Sequence, residues 1–181
     1  MMEERLRQVP EYVRRFRDVF GVDRPHIHLA WMAIAAFERT LVSRPEHVPF
    51  DRYARGDPSA LSAEAKRGLA LFQGKAGCLQ CHHGPLASDE SYHNLGVPKN
   101  PAFETEPLHQ ITLRYQHVIR GAPEKVYRTA DRDLGLYYTT KRDADRGKFR
   151  TPSLRELRYT APYMHDGVFR TLEEVIEFYA R

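Results

Sequence analysis

The stretch Cys78-Leu79-Gln80-Cys81-His82 decides how this chain folds and what it can bind. Cys78 and Cys81 are the only two cysteines among 181 residues. A disulfide framework needs several distant cysteine pairs, and a four-ligand thiolate zinc site needs more cysteines or a second well-spaced pair. The two thiols therefore serve one local purpose beside His82.

The spacing of these residues is typical of covalent attachment of a c-type haem. Each thiol adds to one vinyl group on the haem edge, and a helical turn between the cysteines matches the separation of the vinyl groups. The histidine that follows is then carried under the iron. A thioredoxin-like redox pair needs a βαβ context, which is absent here. The sequence thus predicts one covalent haem bound through Cys78 and Cys81, with His82 as an iron ligand.

The second axial ligand of the iron is harder to predict, because methionine and histidine are both usual in cytochromes. Three of the four methionines are unsuitable, since they lie at the terminus or on the apolar stripe of a predicted helix: Met1, Met2 and Met32. Met164 lies in a non-helical segment, residues 160–167, where a loop can present its sulfur to iron. The residues therefore favour Met164, with His165, another histidine or an open site as alternatives. No motif surrounds four of the other histidines, which we expect in packing or at the surface: His83, His93, His109 and His117.

Apolar spacing predicts a mainly α-helical chain and shows no clear strand. We expect an amphipathic helix over residues 3–20, which Pro10 kinks or breaks near its start and which ends at Gly21. A second helix is expected from Pro25 to about residue 43. The second helix is expected to bury a stripe that includes Met32 and Phe37. Irregular chain over residues 44–60 leads to a helix over residues 63–72 with Ser62 as its N-cap. Residues 121–150 read as polar and turn-rich, with two expected packing points, and a capping box opens the last helix: Tyr137, Tyr138 and Thr171–Glu174.

These patterns predict two regions. Residues 1–60 are expected to form a helical extension that packs on the haem domain, and residues 61–181 a c-type cytochrome domain. The predicted fold class is therefore a cytochrome c-like haem domain with a helical N-terminal extension.

Composition narrows the function further. The net charge is only +4, with basic residues mixed among acids, so no nucleic-acid footprint is visible. No apolar run approaches the ~18 residues that would span a bilayer. The first residues lack the apolar region of a signal peptide. Because haem is attached to such motifs outside the bacterial cytoplasmic membrane, we expect a removed signal, a fragment or a misplaced start, and a periplasmic location.

Several segments resemble the C-terminal haem domain of bacterial di-haem cytochrome c peroxidases, a family that also contains the methylamine-utilisation di-haem enzymes. The resemblance covers about residues 5–181. It is carried by these segments: Ala35–Leu41, Gly68–Phe72, Cys78–His82 with Gly84, Asn94–Val97, Asp133–Gly135, Phe149–Arg155 and Thr160–Gly167.

The resemblance implies that this domain carries the high-potential haem. In the family it accepts electrons from a small donor, a cytochrome or a cupredoxin, and passes them to a second haem where hydrogen peroxide is reduced. The ligand pattern of the family maps onto His82 and Met164. The methylamine-utilisation branch has a tyrosine in place of this methionine, so Met164 favours the peroxidase branch.

The chain also departs from the family. The second Cys-x-x-Cys-His motif and the peroxide-site segment with its Gln and Glu do not occur in it. The family binds calcium between its two haem domains, so half of such a site would be missing here, and no residues are assigned to it. We assign no catalytic residue in this chain, and we keep a homodimer among its candidate assemblies.

Three functions compete at this stage. The first is the electron-accepting haem domain of a di-haem peroxidase, and the second is a free-standing mono-haem periplasmic carrier without peroxidase activity. The third is a peroxidase that uses this haem after loss of the Met164 ligand. In each case Arg150 and Arg155 are candidates to pair with the haem propionates, with simple surface charge as the alternative.

Overall fold

The computed structural model describes residues 2–181, so Met1 lies outside the described residues. The chain is mainly helical, as predicted, and divides into two compact units, the first ending at Ala65 and the second running from Lys66 to Arg181. Whether this division corresponds to an extension and a cytochrome domain stays a prediction. Within residues 2–181, no helix combines the length and apolar character needed to cross a membrane.

Within residues 2–62 the first unit has four α-helices: α1 (Met2–Arg7), α2 (Pro10–Phe20), α3 (Ile27–Glu38) and α4 (Pro49–Ala54). The helix expected over residues 3–20 is broken because α2 starts afresh at Pro10, which has no N–H to continue an earlier helix. Gly21 ends α2 in the left-handed conformation at φ 67°, where glycine carries no Cβ penalty. The segment expected to be irregular, residues 44–60, contains α4 between two short 3-10 helices, Pro45–His47 and Pro58–Ala60.

Helix α3 differs from the prediction in its bounds and in its buried face. It begins at Ile27 and ends at Glu38, two residues later and about five residues earlier than expected. The predicted buried stripe is wrong, because Met32 is 58% and Phe37 62% exposed. No Asp, Glu, Lys or Arg occurs between Ile27 and Phe37, so the pattern does not single out one buried face.

The second unit contains most of α5 and the remaining helices. They are α5 (Ala63–Gln73), α6 (Ala102–Thr105), α7 (Pro107–Ile119), α8 (Glu124–Thr129), α9 (Tyr137–Thr140) and α10 (Leu172–Tyr179). Two helix starts are confirmed. The Ser62 hydroxyl accepts the Ala65 amide at 3.1 Å, and the capping box between Thr171 and Glu174 opens α10.

The sequence showed no clear strand, but the structure contains one short antiparallel pair. Strands β1 (Tyr92–His93) and β2 (Phe149–Arg150) pair antiparallel, with Tyr92 opposite Arg150 and His93 opposite Phe149. Each strand has two residues, too few to produce an alternating pattern in the sequence.

The core of the second unit lies around α7 and α9. Leu134, Tyr137 and Tyr138 form a buried cluster with Val126 against it, which confirms the two tyrosines as packing points. His117 is fully buried, and its Nδ1 lies 2.7 Å from the Tyr138 hydroxyl. Burial lowers the pKa of His117 and raises that of Tyr138 to about 12, so both groups are neutral in the core at neutral pH.

Candidate functional site

Both thiols and His82 lie in one tight turn of the second unit. Gly77 enters the turn at φ 69°, in the left-handed region that glycine adopts at little cost. A short 3-10 helix spans Cys78–Gln80, and the His82 amide donates to the Cys78 carbonyl at 2.9 Å. The two cysteines are free and half-buried. The structure therefore supplies the helical turn that was expected between them.

A backbone carbonyl sets the orientation of the His82 ring. The Nδ1 atom lies 2.9 Å from the Ala87 carbonyl oxygen, which can only accept a hydrogen bond. Nδ1 therefore carries the proton, and Nε2 keeps its lone pair. Histidines that bind metals commonly donate their other ring N–H in this way. Two backbone hydrogen bonds close the loop that follows His82, from the Ala87 amide to the Gly84 carbonyl and from the Ser88 amide to the His83 carbonyl.

The loop after the motif is fastened to the Phe149–Arg155 segment. Three side chains donate to carbonyl oxygens across the junction: Ser88 to Thr151 (2.7 Å), Ser153 to Leu86 (2.7 Å) and Arg155 to Pro85 (2.9 Å). The pairing of β1 with β2 continues the same junction. Two segments that are about 65 residues apart in the chain therefore position His82 together.

Arg150 and Arg155 have different surroundings in this junction. Arg150 forms an exposed ion pair with Glu90 at 2.5 Å. The Nε of Arg155 donates to Pro85, three residues from His82. Pairing of either side chain with haem propionates stays a prediction.

Met164 lies in a hairpin of the same unit. The Tyr163 amide donates to the Phe169 carbonyl at 2.7 Å, and the Gly167 amide donates to the Met164 carbonyl at 3.3 Å. Met164 is half-buried and has φ 67°, a left-handed conformation that is uncommon for a side chain of this size. Such conformations persist where the surrounding structure imposes them, often at functional sites.

His165, the alternative ligand, has a partner of its own. Its ring stacks on Phe149 with 3.7 Å between centroids and 15° between planes. The stack links the Met164 hairpin to β2 and hence to the motif loop. Asn100 also holds the hairpin, because its amides donate to the Asp166 carboxylate at 3.1 Å and to the Asp166 carbonyl at 2.9 Å.

One group of residues near the motif was missed by sequence reasoning. His93 Nε2 lies 2.8 Å from Asp89 Oδ2 and 3.9 Å from Cys81 Sγ. Hydrogen bonds from Thr151, then His93 and the Ser91 amide, lower the pKa of Asp89 to about 2. The only signal in the sequence was the four-residue spacing of Asp89 and His93 shortly after the Cys-x-x-Cys pair.

Several apolar side chains in the motif, just after it and in α10 are exposed. Leu79 and Leu86 flank the turn and are exposed, as are Ile176 and Tyr179 of α10. Partial burial, and then the charges of Cys81 and Cys78, raise the pKa of the Tyr179 hydroxyl in α10.

These residues fit a c-type haem. Two free thiols occupy one turn, and a histidine presents Nε2. Exposed apolar side chains nearby suit the faces of a large apolar ring.

Comparisons with known proteins find relatives among di-haem cytochrome c peroxidases. A family model described as di-haem cytochrome c peroxidase matches residues 1–59. Cytochrome-c peroxidase IdrP1 of Pseudomonas sp. (strain SCT) is 58% identical over 181 residues, which is 100% of this chain and 48% of that protein. Methylamine utilization protein MauG of Methylorubrum extorquens is 38% identical over 187 residues, covering 100% of this chain and 43% of that protein.

A solved structure is similar to this chain in fold. The crystal structure of a MauG-like protein associated with microbial copper homeostasis matches with a TM-score of 0.65 and 30% identity. The match covers 96% of this chain and 46% of that one. The chain spans about half the length of the curated relatives it matches, and over that length it is similar to members of the di-haem cytochrome c peroxidase family.

Proposed function

We propose that residues 61–181 form a c-type cytochrome domain with one covalent haem, and that this domain is the electron-accepting, C-terminal part of a di-haem cytochrome c peroxidase. Cys78 and Cys81 would hold the haem, and His82 and Met164 would ligate its iron. Residues 1–60 would form the helical extension of that domain. The haem would supply a one-electron redox couple.

The observation that carries this proposal is the hydrogen bond between His82 Nδ1 and the Ala87 carbonyl. It keeps the proton on Nδ1 and leaves Nε2 free for iron. The bonds from Ser88 and Ser153 across to the Phe149–Arg155 segment hold that loop in place. Metal-binding histidines commonly have such a partner at the second ring nitrogen, because it fixes the tautomer and the ring orientation.

A role in electron transfer, and not in peroxide reduction, follows if two protein ligands fill both axial positions of the haem iron. If His82 and Met164 occupy both axial positions, peroxide has no open position at this iron. Peroxide reduction would then belong to a second haem domain outside these residues. The relative named cytochrome-c peroxidase IdrP1 is about twice as long as the part this chain matches, which leaves room there for a second domain. The chain would receive electrons from a small cytochrome or cupredoxin in the periplasm.

Absorption spectra of the haem-loaded chain test this proposal. We expect a low-spin oxidised spectrum with a sulfur-to-iron charge-transfer band, and no change on addition of peroxide. Met164→Leu should abolish the band and lower the reduction potential, because methionine ligation raises the potential. Met32→Leu is the matched control and should leave the spectrum unchanged. A high-spin spectrum of the unmodified chain, or one that peroxide alters, would overturn the assignment.

Peroxide turnover separates a domain of a larger enzyme from a free-standing carrier. The haem-loaded chain is mixed with the remaining half of the IdrP1 relative, produced separately, and supplied with a reduced donor. Turnover only when both parts are present supports the domain. Absence of turnover in the mixture, when intact IdrP1 turns over under the same conditions, supports the carrier.

A further inference from the structure

The ring stack between His165 and Phe149 joins the Met164 hairpin to strand β2. The ring centroids lie 3.7 Å apart and the ring planes are inclined by 15°, which is face-to-face contact. The backbone of Met164 has φ 67°, a conformation that persists only where the surrounding structure imposes it. Because His165 follows Met164 directly in the chain, the stack restrains the backbone beside that conformation.

The hairpin has other attachments, which lead to other parts of the unit. The Tyr163 hydroxyl donates to the Leu157 carbonyl at 2.8 Å. Asn100 donates to the carboxylate and to the carbonyl of Asp166. These bonds fasten the ends of the hairpin, whereas the stack fastens its tip to β2.

The position of Phe149 is itself fixed by its neighbours. Phe149 pairs with His93 across the two-stranded sheet. The Leu136 amide donates to the carbonyl of the preceding residue, Lys148, at 2.9 Å. A Cβ placed on Gly135 would lie 3.3 Å from Phe149 Cε1, so the edge of the ring lies close to the Gly135 backbone. Phe149 therefore offers the His165 ring a fixed surface.

The segment that carries Phe149 also holds the loop after His82. The Ser88 hydroxyl donates to the carbonyl of Thr151, two residues after Phe149, at 2.7 Å. One short piece of chain thus bears on both of the proposed iron ligands, although these ligands lie on different loops.

We propose that Phe149 is a positioning residue for Met164. Its ring holds His165, and through His165 the tip of the hairpin, in the conformation that presents the sulfur. His165 is then a spacer and does not bind iron. This inference rests on the proposed function, because it concerns Met164 as an axial ligand. Loss of the stack should leave the chain folded and raise the fraction of molecules in which the sulfur has left the iron.

Imidazole binding to the oxidised, haem-loaded full chain measures that fraction. Added imidazole takes the position that the sulfur leaves, so its apparent affinity rises with the vacant fraction. Loss of an aromatic pair corresponds to a factor of ~2–10 in an equilibrium constant. Phe149→Leu should therefore tighten imidazole binding by ~2–10-fold. In the Met164→Leu background the same substitution should change the affinity less than twofold, because no sulfur is left to position.

Matched variants separate the stack from general damage to the sheet. His165→Ala removes the stack at an exposed residue and should tighten imidazole binding as Phe149→Leu does, even if the latter fails to fold. Phe149→Tyr and His165→Phe keep two stacked rings and should bind imidazole as the unmodified chain does. Tyr92→Leu is the control within the sheet. Tyr92 lies opposite Arg150, so its side chain is on the other face from Phe149, and the affinity should not change.

Several results would overturn the proposal. They are unchanged imidazole affinity in both Phe149→Leu and His165→Ala, an equal gain in the Met164→Leu background, and an equal gain in Tyr92→Leu. Loss of the low-spin spectrum in His165→Phe would also overturn it, because the His165 imidazole would then be the iron ligand.

Failure of the proposed function would look different, because the unmodified chain itself would lack the sulfur-to-iron charge-transfer band. Hydrogen exchange then tests the stack without reference to iron. The Gly167 amide donates to the Met164 carbonyl at 3.3 Å and reports on opening of the hairpin. Its exchange should accelerate by ~2–10-fold in Phe149→Leu whether or not the sulfur binds iron. Unchanged exchange at Gly167 would remove Phe149 as a support of the hairpin.

Discussion

Ser88→Ala tests whether the junction between the motif loop and the Phe149–Arg155 segment holds His82 in place. The Ser88 hydroxyl donates to the Thr151 carbonyl at 2.7 Å and accepts the Glu90 amide at 3.0 Å. Alanine removes both bonds and changes little else. Ala87, whose carbonyl orients His82, is the adjacent residue.

In Ser88→Ala, most of the expected loss of stability at the junction comes from the missing hydrogen bond to the Thr151 carbonyl. That bond is partly buried and Thr151 is only 7% exposed, so its carbonyl would lose a donor that water replaces poorly. A neutral hydrogen bond contributes about 1 kcal/mol, and a buried acceptor left without a partner costs more. The Glu90 amide is exposed and can bond to water. We therefore expect a loss of about 1–2 kcal/mol in the free energy of opening the junction, a factor of ~5–30 in the open population.

Hydrogen–deuterium exchange of the haem-loaded chain measures this opening directly. The useful probe is the Thr151 amide, which donates to the Ser91 carbonyl at 2.9 Å in a bond that the substitution does not remove. In Ser88→Ala the exchange of the Thr151 amide should accelerate by ~5–30-fold, the expected increase in the open population. Ser91→Ala is the control, because the Ser91 hydroxyl makes only an exposed 3.4 Å contact. Less than a twofold acceleration at Thr151, or equal acceleration in the control, would refute the reasoning.

Three further predictions concern stability. Gly135→Ala should destabilise the chain by several kcal/mol in urea unfolding, because a Cβ would overlap the Lys148 carbonyl oxygen and φ is +56°. Asp145→Asn should flatten the acid limb of the stability curve. Lys148 foremost lowers the pKa of Asp145 to about 2, so its contribution is complete above ~pH 4 and is lost as the pH falls toward 2. Thr171→Ala should lower stability by about 1 kcal/mol in thermal unfolding, through loss of the α10 cap.

Each of these predictions has a control within the chain. Gly96→Ala shares the positive φ of Gly135 but meets nothing within 4 Å, so it should cost only about 1 kcal/mol. An equal loss in both glycine variants would contradict the contact argument. Asp143, 85% exposed in its side chain, is the control for Asp145, and Asp143→Asn should leave the acid limb unchanged. For the cap, Thr171→Ser should retain stability, and a loss as large as that of alanine would rule out the hydroxyl as its cause.

Much of the site could be predicted because its determinants are local. The Cys78–His82 spacing requires a turn, and the structure has a 3-10 helix there. Ser62 and Thr171 cap helices through side chains that reach amides three residues ahead. Gly21 ends a helix because its backbone is the least restricted. These effects act over a few residues and are visible in a single chain.

Other features depend on residues far apart in the chain. Sequence periodicity could not reveal which face of α3 is covered, since that helix is apolar on all sides. The two-residue pairing of β1 with β2 leaves no periodic signal. His93 had no motif, because its partners Cys81 and Asp89 converge only once the loop closes.

The sequence alone predicts the chemistry of the chain from short-range features, namely two thiols and a histidine at a fixed spacing, together with a methionine in a non-helical segment. Tertiary structure decided how those groups are held. The Ala87 carbonyl selects the His82 tautomer, and the Phe149–Arg155 segment fastens the loop from about 65 residues away. The physical reason is the separation, along the chain, of the residues that interact. Bond spacing and capping act between neighbours in the chain, whereas ring orientation and the convergence of ligand atoms depend on contacts that form only when distant segments pack together.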